Sequence, residues 1–127
     1  MAEVVKNRPQ ELTKAELEIM QVIWQKEKVL VHDILAELPK PKPAYNTVST
    51  IVRILENKGF VSHKAYGRTY EYFPIVAKED YTNTYMRTVL DNFFEGSVSR
   101  MVNFFSSQKS ISLEETDEIL KILNGDK

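Results

Sequence analysis

The clearest hydrophobic pattern of the chain lies in residues 45–60, which read YNTVSTIVRILENKGF. Apolar side chains recur there at helical spacing, at Val48, Ile51, Val52 and Leu55, and this predicts an amphipathic helix with one buried stripe. The opposite face carries short polar side chains and one guanidinium group, whereas an ordinary solvent-facing helix mixes acids with bases. These polar residues are Asn46, Thr50, Arg53 and Asn57, flanked by Ser49 and Thr47. Such a face indicates a binding role.

Two shorter helices are predicted before this one. Thr13 followed by Glu16 is a capping-box pattern, and it opens a helix from about residue 14 to residue 26. A short apolar stretch at 29–31 fits an edge strand, and a second helix is predicted over about 32–38. Prolines at positions 39, 41 and 43 end the second helix, and Gly59 ends the third.

A β-hairpin is predicted directly after the third helix, in the sequence FVSHKAYGRTYEYFP. Side chains alternate in character on both sides of a turn at Tyr66-Gly67-Arg68, and Pro74 closes the second strand. Two helices, a tight turn, a third helix and a hairpin predict a winged helix-turn-helix. In that arrangement the third helix enters the major groove of DNA.

The charge distribution supports the same interpretation. The whole chain has 17 basic and 18 acidic residues, a net charge of −1, but residues 38–70 contain six bases and a single acid, Glu56. The predicted contacts to double-stranded DNA lie in this segment, and they are Lys42, Tyr45, Asn46, Thr47, Ser49, Thr50, Arg53, Asn57, Lys64 and Arg68. The alternatives are a solvated polar face on an unrelated three-helix domain, and a winged-helix module that binds protein instead of DNA.

A second part of the chain is predicted over 76–127, after a DNA-binding domain over 1–75. Three helices are expected there, and together they carry more apolar surface than so small a unit can bury internally. This favours a homodimer, the alternative being that the helices pack on the N-terminal domain. The predicted dimer contacts are Tyr85, Val89, Phe93, Phe94, Met101, Phe105, Ile119, Leu120 and Leu123. The predicted fold class is mainly α.

Other functions find little support in the sequence. There is no cysteine, which excludes thiolate metal sites and disulfides, and His32 and His63 lack companions for a zinc site. We therefore expect no metal and no cofactor. No nucleophile cluster or glycine-rich phosphate loop is present, so an enzyme is not expected. Because no stretch is apolar enough to enter a membrane, a cytoplasmic location is expected.

Four stretches together resemble the BlaI/MecI family of penicillinase repressors. They are LTKAELEIMQVIW, NTVSTIVRILENKGFV, KAYGRTYEYFP and the acidic, aromatic C-terminal helices, in the order typical of the family. The resemblance implies a dimeric repressor on a palindromic operator, with the helix pattern matched at Thr47 and Thr50 and the wing pattern at Gly67-Arg68. The family usually has Lys at the position of Asn46 and Arg at that of Ile54, so an operator sequence does not carry over.

The resemblance also implies relief of repression by cleavage in the C-terminal domain, after a membrane-bound sensor metalloprotease is activated. The family's cleavage site is an Asn-Phe bond that follows a Met-Val pair and one further apolar residue. In this chain the corresponding sequence is MVNFF. Ungapped alignment places the bond at Phe104-Phe105, and the Asn103-Phe104 bond lies one position earlier. The cleavage candidates are therefore Asn103, Phe104 and Phe105.

Overall fold

The structure is a computed structural model. It describes residues 11–108 and 112–123, without the side chains of Leu120 and Leu123. Six helices and one hairpin occur within these residues. In chain order they are α1 (Lys14–Lys26), α2 (Val31–Glu37), α3 (Tyr45–Asn57), β1 (Val61–Tyr66), β2 (Thr69–Pro74), α4 (Lys78–Phe93), α5 (Val98–Ser107) and α6 (Leu113–Leu123). The predicted winged helix-turn-helix, mainly helical with a small hairpin, is confirmed.

The predicted capping box starts α1, and a second capping box starts α6. At α1 the Glu16 N–H donates to the Thr13 hydroxyl at 3.1 Å, and the Thr13 N–H donates to the Glu16 carboxylate at 2.9 Å. At α6 the same pair of bonds joins Ser112 and Glu115, each at 3.0 Å. Each box provides side-chain acceptors for two backbone N–H groups at the helix start that would otherwise be unpaired.

The end of α3 is set by Gly59, which has φ +87°. The Gly59 N–H donates to Glu56 and the Phe60 N–H donates to Leu55, both at 3.0 Å. These two bonds form a Schellman motif, in which a left-handed residue reverses the chain after a helix. Phe60 is thereby turned into the core and the chain is delivered to β1.

One hydrophobic core holds α1, α2, α3 and the hairpin together. Val48, Val52 and Leu55 on α3 are fully buried, as are Met20 and Ile23 on α1. The apolar stripe predicted for α3 is therefore its core face, although Ile51 is only partly buried. Burying side chains of this size is worth about 1.5–3 kcal/mol each relative to exposure, so the rotation of α3 about its own axis is fixed by these contacts.

The hairpin pairs β1 with β2 in antiparallel register, from Val61 opposite Pro74 to Tyr66 opposite Thr69. The turn therefore has two residues, Gly67 and Arg68, and Gly67 has the positive φ of +63° that such turns require. Only Val29 of the predicted edge strand pairs with the sheet, through two backbone hydrogen bonds to Tyr72 of 2.9 and 2.7 Å.

The chain divides into two compact units, of which the first ends at Thr82 and the second begins at Asn83. The predicted boundary at 75/76 lies earlier, because the start of α4 still packs on the winged-helix core. The Trp24 indole N–H donates to the Val76 carbonyl at 2.9 Å. The Tyr81 ring lies 6.1 Å from that of Trp24 between ring centroids, and the Tyr81 hydroxyl accepts from the Leu12 N–H at 3.0 Å.

The second unit has a small core of its own. Leu90 on α4 and Val102 on α5 are buried, and the rings of Phe94 and Phe104 lie 5.7 Å apart between centroids. Within the described residues, no helix is both long and apolar enough to cross a membrane.

A buried ion pair joins the start of α1 to the end of α3. The Lys58 ammonium donates to both oxygens of the Glu16 carboxylate, at 2.8 and 3.0 Å, and the Glu16 side chain is only 7% exposed. Burial alone would raise the pKa of Glu16, but the hydrogen bonds from Lys58 and Thr13 and the Lys58 charge together lower that pKa.

We predict that Glu16→Gln lowers the free energy of unfolding at pH 7 by about 1–3 kcal/mol. A carboxyl whose pKa is lowered by folding stabilises the protein when ionised, and this contribution is lost as the pH falls through the folded-state pKa. The difference between wild type and variant should therefore shrink below about pH 4. Urea unfolding at a series of pH values measures this difference in the free energy of unfolding. Glu18→Gln, on an exposed position of the same helix, should change stability by less than about 0.5 kcal/mol.

Candidate nucleic-acid interface

The polar face predicted for α3 is exposed in the structure. The side chains of Asn46, Thr47, Thr50, Arg53 and Asn57 are exposed, and Ser49 is partly exposed. They are turned away from the core because Val48, Val52 and Leu55 face it. These six polar residues together form a surface that we call the reading face.

The first turn of α3 lies at one end of the reading face. Ala44 is the N-cap residue and provides no side-chain hydrogen bond. The first helical hydrogen bond runs from the Val48 N–H to the Ala44 carbonyl, at 3.1 Å. The backbone N–H groups of the residues before Val48 therefore have no acceptor within the helix. Tyr45 lies beside them, 38% exposed, with its ring 4.7 Å from that of His32 between centroids.

The wing adds cations and aromatic rings. Lys64 on β1 and Arg68 in the turn are exposed. Two tyrosines near the turn are also exposed, Tyr66 by 58% and Tyr70 by 50%. Neither tyrosine was among the predicted contacts, although tyrosine hydroxyls bind phosphates in many protein–DNA complexes. The sequence assigned Tyr70 only to a strand and Tyr66 only to the turn, whereas Tyr66 is the last residue of β1.

Lys42 differs from what the sequence suggested. Its ammonium group donates to the backbone carbonyls of Leu35, Ala36 and Leu38, at 2.9, 3.0 and 2.9 Å. An ammonium has three N–H donors, so all of them are used at the C-terminal end of α2. Lys42 therefore holds the turn between α2 and α3, and a phosphate contact would require it to leave these carbonyls.

The remaining basic residues of segment 38–70 fall into two groups. Lys58 is engaged by Glu16, as described above. In the part of the chain that the structure describes, no hydrogen bond or ion pair engages the other four, which are Lys40, Arg53, Lys64 and Arg68. These four side chains are all exposed on the first unit.

Glu56, the single acid of the segment, is paired with the wing. The His63 Nδ1 lies 2.7 Å from a carboxylate oxygen of Glu56, and both side chains are about one-third exposed. The His63 ring in turn lies 4.1 Å from the ring of Tyr70 between centroids. Sequence spacing gave no sign of this contact, because it forms only when the helix end and the first strand are folded against each other.

The predicted dimer contacts lie in the second unit, apart from the reading face in sequence. Phe93 is 75% exposed and Phe105 is 40% exposed, while Phe94, Met101 and Ile119 are partly buried. Val89 is partly buried, Tyr85 is 37% exposed, and the side chains of Leu120 and Leu123 lie outside the described residues. The cleavage candidates Asn103, Phe104 and Phe105 are exposed residues within α5.

Comparison with known proteins decides the family. A family model described as "Penicillinase repressor" matches residues 12–125. The chain belongs to the penicillinase repressor family. The resemblance noted in the sequence is confirmed, and the members of this family are regulators.

Two relatives show how far the similarity extends. The chain is 32% identical over 124 residues to a penicillinase repressor of Bacillus licheniformis, covering 97% of this chain and 96% of that protein. It is 26% identical over 119 residues to the methicillin resistance regulatory protein MecI of Staphylococcus aureus (strain N315), covering 93% and 97%. The similarity to the Bacillus licheniformis penicillinase repressor thus extends over both units of this chain.

Among solved structures, the chain is similar to the monomeric form of Bacillus licheniformis BlaI in complex with the blaP half-operator. That match has 31% identity and a TM-score of 0.49, and it covers 58% of this chain and 92% of that one. The BlaI DNA-binding domain in solution matches with 32% identity, a TM-score of 0.49 and coverage of 56% and 88%.

We predict that Lys42 contributes to stability and that Lys64 does not. Lys42→Met keeps the length of the side chain but removes three hydrogen bonds to the end of α2, and should lower the free energy of unfolding by about 0.5–1.5 kcal/mol. Lys64→Met, on the exposed wing, should change it by less than about 0.5 kcal/mol. Urea unfolding of the two variants compares them directly, and equal stabilities would mean that the Lys42 bonds are not maintained in solution.

Proposed function

We propose that the protein is a dimeric transcriptional repressor that binds a palindromic operator through the reading face and the wing. The observation that carries this proposal is the reading face itself, an exposed helix surface of amides, hydroxyls and one guanidinium. Such groups hydrogen-bond to base edges in the major groove. A winged helix that bound a protein groove through α3 would need an apolar face there instead.

The charges beside the reading face support binding to an anionic partner. Lys40, Lys64 and Arg68 flank α3 in the preceding turn and in the wing, and they have no partner among the described residues. Cations in such positions neutralise phosphates and release bound counterions, which provides affinity without sequence preference. The uncapped first turn of α3 adds N–H donors and the positive end of a helix dipole.

The second unit would provide the dimer contact. Phe93, Phe104 and Phe105 are large apolar side chains that the described part of this unit leaves 40–75% exposed, and a second copy would remove them from water. Two reading faces joined in this way would bind the half-sites of a palindrome together, with a gain in affinity of about a hundredfold or more over a single site. The homodimer is part of the proposal.

Relief of repression would follow from cleavage near Asn103 to Phe105, after activation of a membrane-bound sensor metalloprotease. These residues lie inside α5, where the Phe104 carbonyl accepts from the Gln108 N–H at 3.1 Å and from the Ser107 hydroxyl at 2.9 Å. A protease binds extended chain, so α5 must open locally before it is cut. The cut would separate α6 from the rest of the second unit and leave the reading face intact.

Binding can be tested with the DNA upstream of the protein's own gene. We predict that Arg53→Ala weakens binding to the cognate site by about 1–3 kcal/mol and relaxes the preference at one base pair. Arg68→Ala is the matched variant on the wing. It should weaken binding to all sequences alike and reduce the slope of log affinity against log salt by about one.

Gel shifts with operator variants at several salt concentrations separate the two effects. Loss of preference in Arg68→Ala, or an unchanged binding profile in Arg53→Ala, would reverse the roles assigned to these residues. Absence of binding by the wild type to DNA of any sequence would refute the proposed function.

Dimerisation can be tested on the full chain. We predict that Phe93→Asp makes the protein monomeric at micromolar concentration, because a buried charge without a partner is costly in an interface but not on a free surface. Ile75→Asp is the control, since Ile75 is 59% exposed and lies in the first unit. Sedimentation velocity distinguishes the two variants. A Phe93→Asp dimer as stable as that of the wild type would place the interface elsewhere.

A further inference from the structure

The position of Glu56 requires an explanation, because a carboxylate near DNA repels the phosphates. Glu56 follows Ser49 by seven residues and Arg53 by three on α3, so it lies at the edge of the reading face. It is also the only acid among residues 38–70. A residue with this charge at this place opposes the binding that the rest of the surface favours, unless its charge is neutralised.

The neutralising group available is His63. Its Nδ1 lies 2.7 Å from the Glu56 carboxylate, and the Nδ1–H can donate there whether or not the ring is charged. The proton that gives the ring its positive charge is therefore the one on Nε2. Tyr70 lies against the same ring, at 4.1 Å between centroids and with 35° between the planes, where a tyrosine face also favours a cation.

We propose that Glu56 and His63 form a proton-dependent contact between the recognition helix α3 and the wing. When the protein binds DNA, His63 takes up a proton. The inference rests on the proposed function. In the free protein the pair is neutral when His63 is charged and carries the full charge of Glu56 when it is not. DNA adds negative charge beside the pair, so the complex favours the protonated ring.

The direction of the pH effect follows from this linkage. Because the complex binds more protons than the free protein, affinity rises as the pH falls through the range in which His63 gains its proton, and it levels off at higher pH. His63 and Glu56 are positioning residues in this scheme. They determine the charge beside the DNA and the position of the wing relative to α3. The bases are contacted by the α3 side chains.

Other titratable and charged groups around His63 do not produce the same effect. From β2 it faces Tyr70 and Tyr72, and burial, with the charge of Glu56, raises the pKa of the Tyr72 hydroxyl further above neutrality. From α3 it faces Glu56, with Arg53 one turn before, and Arg53 stays charged throughout. On its own strand, Lys64 projects from the opposite face of the hairpin.

The test uses the full chain and a fluorescently labelled duplex of the DNA upstream of its gene, at constant ionic strength between pH 6 and pH 8. Uptake of half a proton lowers the association constant about threefold per pH unit as the pH rises. We expect a decrease of at least this size for the wild type. His63→Gln retains a donor for Glu56 but cannot be charged, and its affinity should be independent of pH.

Two further variants make the comparison sharper. Glu56→Gln should bind more tightly than the wild type at pH 8, because the uncompensated charge is gone, whereas loss of a merely structural contact would weaken binding at every pH. His32→Gln removes the other histidine of the chain, and it should keep the wild-type pH dependence. Calorimetry in buffers of different ionisation enthalpy measures the proton uptake directly.

Two outcomes would overturn the inference without touching the proposed function. One is DNA binding with the same pH dependence in the wild type and in His63→Gln. The other is weaker binding of Glu56→Gln at pH 8. If His63→Gln does not fold, the ring C–H resonances of His63 in the wild type, titrated with and without the duplex, decide the matter: an unchanged midpoint refutes proton uptake. Absence of DNA binding at every pH would instead refute the proposed function.

Discussion

The burial of one side of α3 is the constraint on which the rest of the first unit depends. Val48, Val52 and Leu55 have no exposed surface, so the helix cannot rotate without moving large apolar side chains into water. Its rotation therefore fixes which residues face outward, and the Schellman turn at Gly59 fixes where the wing begins. A surface with the chemistry needed for nucleic acid is thus a direct consequence of how the core is packed.

The six basic residues of segment 38–70 serve two different purposes. Lys42 and Lys58 are used inside the fold, the first on the carbonyls at the end of α2 and the second on Glu16. Lys40, Arg53, Lys64 and Arg68 are left without partners among the described residues. A net charge counted along this segment therefore overstates the charge that a partner meets, because Glu16, which lies outside the segment, neutralises Lys58.

Much of the architecture could be predicted from the sequence, because the signals involved are local. The capping boxes at Thr13 and Ser112 and the helical period of α3 each act within a few residues. The contacts that could not be predicted join distant segments. Lys42 reaches back to α2, His63 meets Glu56 across a chain reversal, and Tyr81 packs on the first unit beyond the boundary expected at 75/76. Spacing along the chain contains no information about such pairs until the topology is known.

Trp24 is the only tryptophan in the chain, and its indole ring is fixed between the Val76 carbonyl and the ring of Tyr81. Indole emission depends on hydrogen bonding and on the exclusion of water around the ring. The tryptophan fluorescence of the protein therefore reports on the contact between Trp24 and the start of α4. Separation of α4 from the winged helix would shift this emission to longer wavelength, so the chain contains its own optical probe for that event.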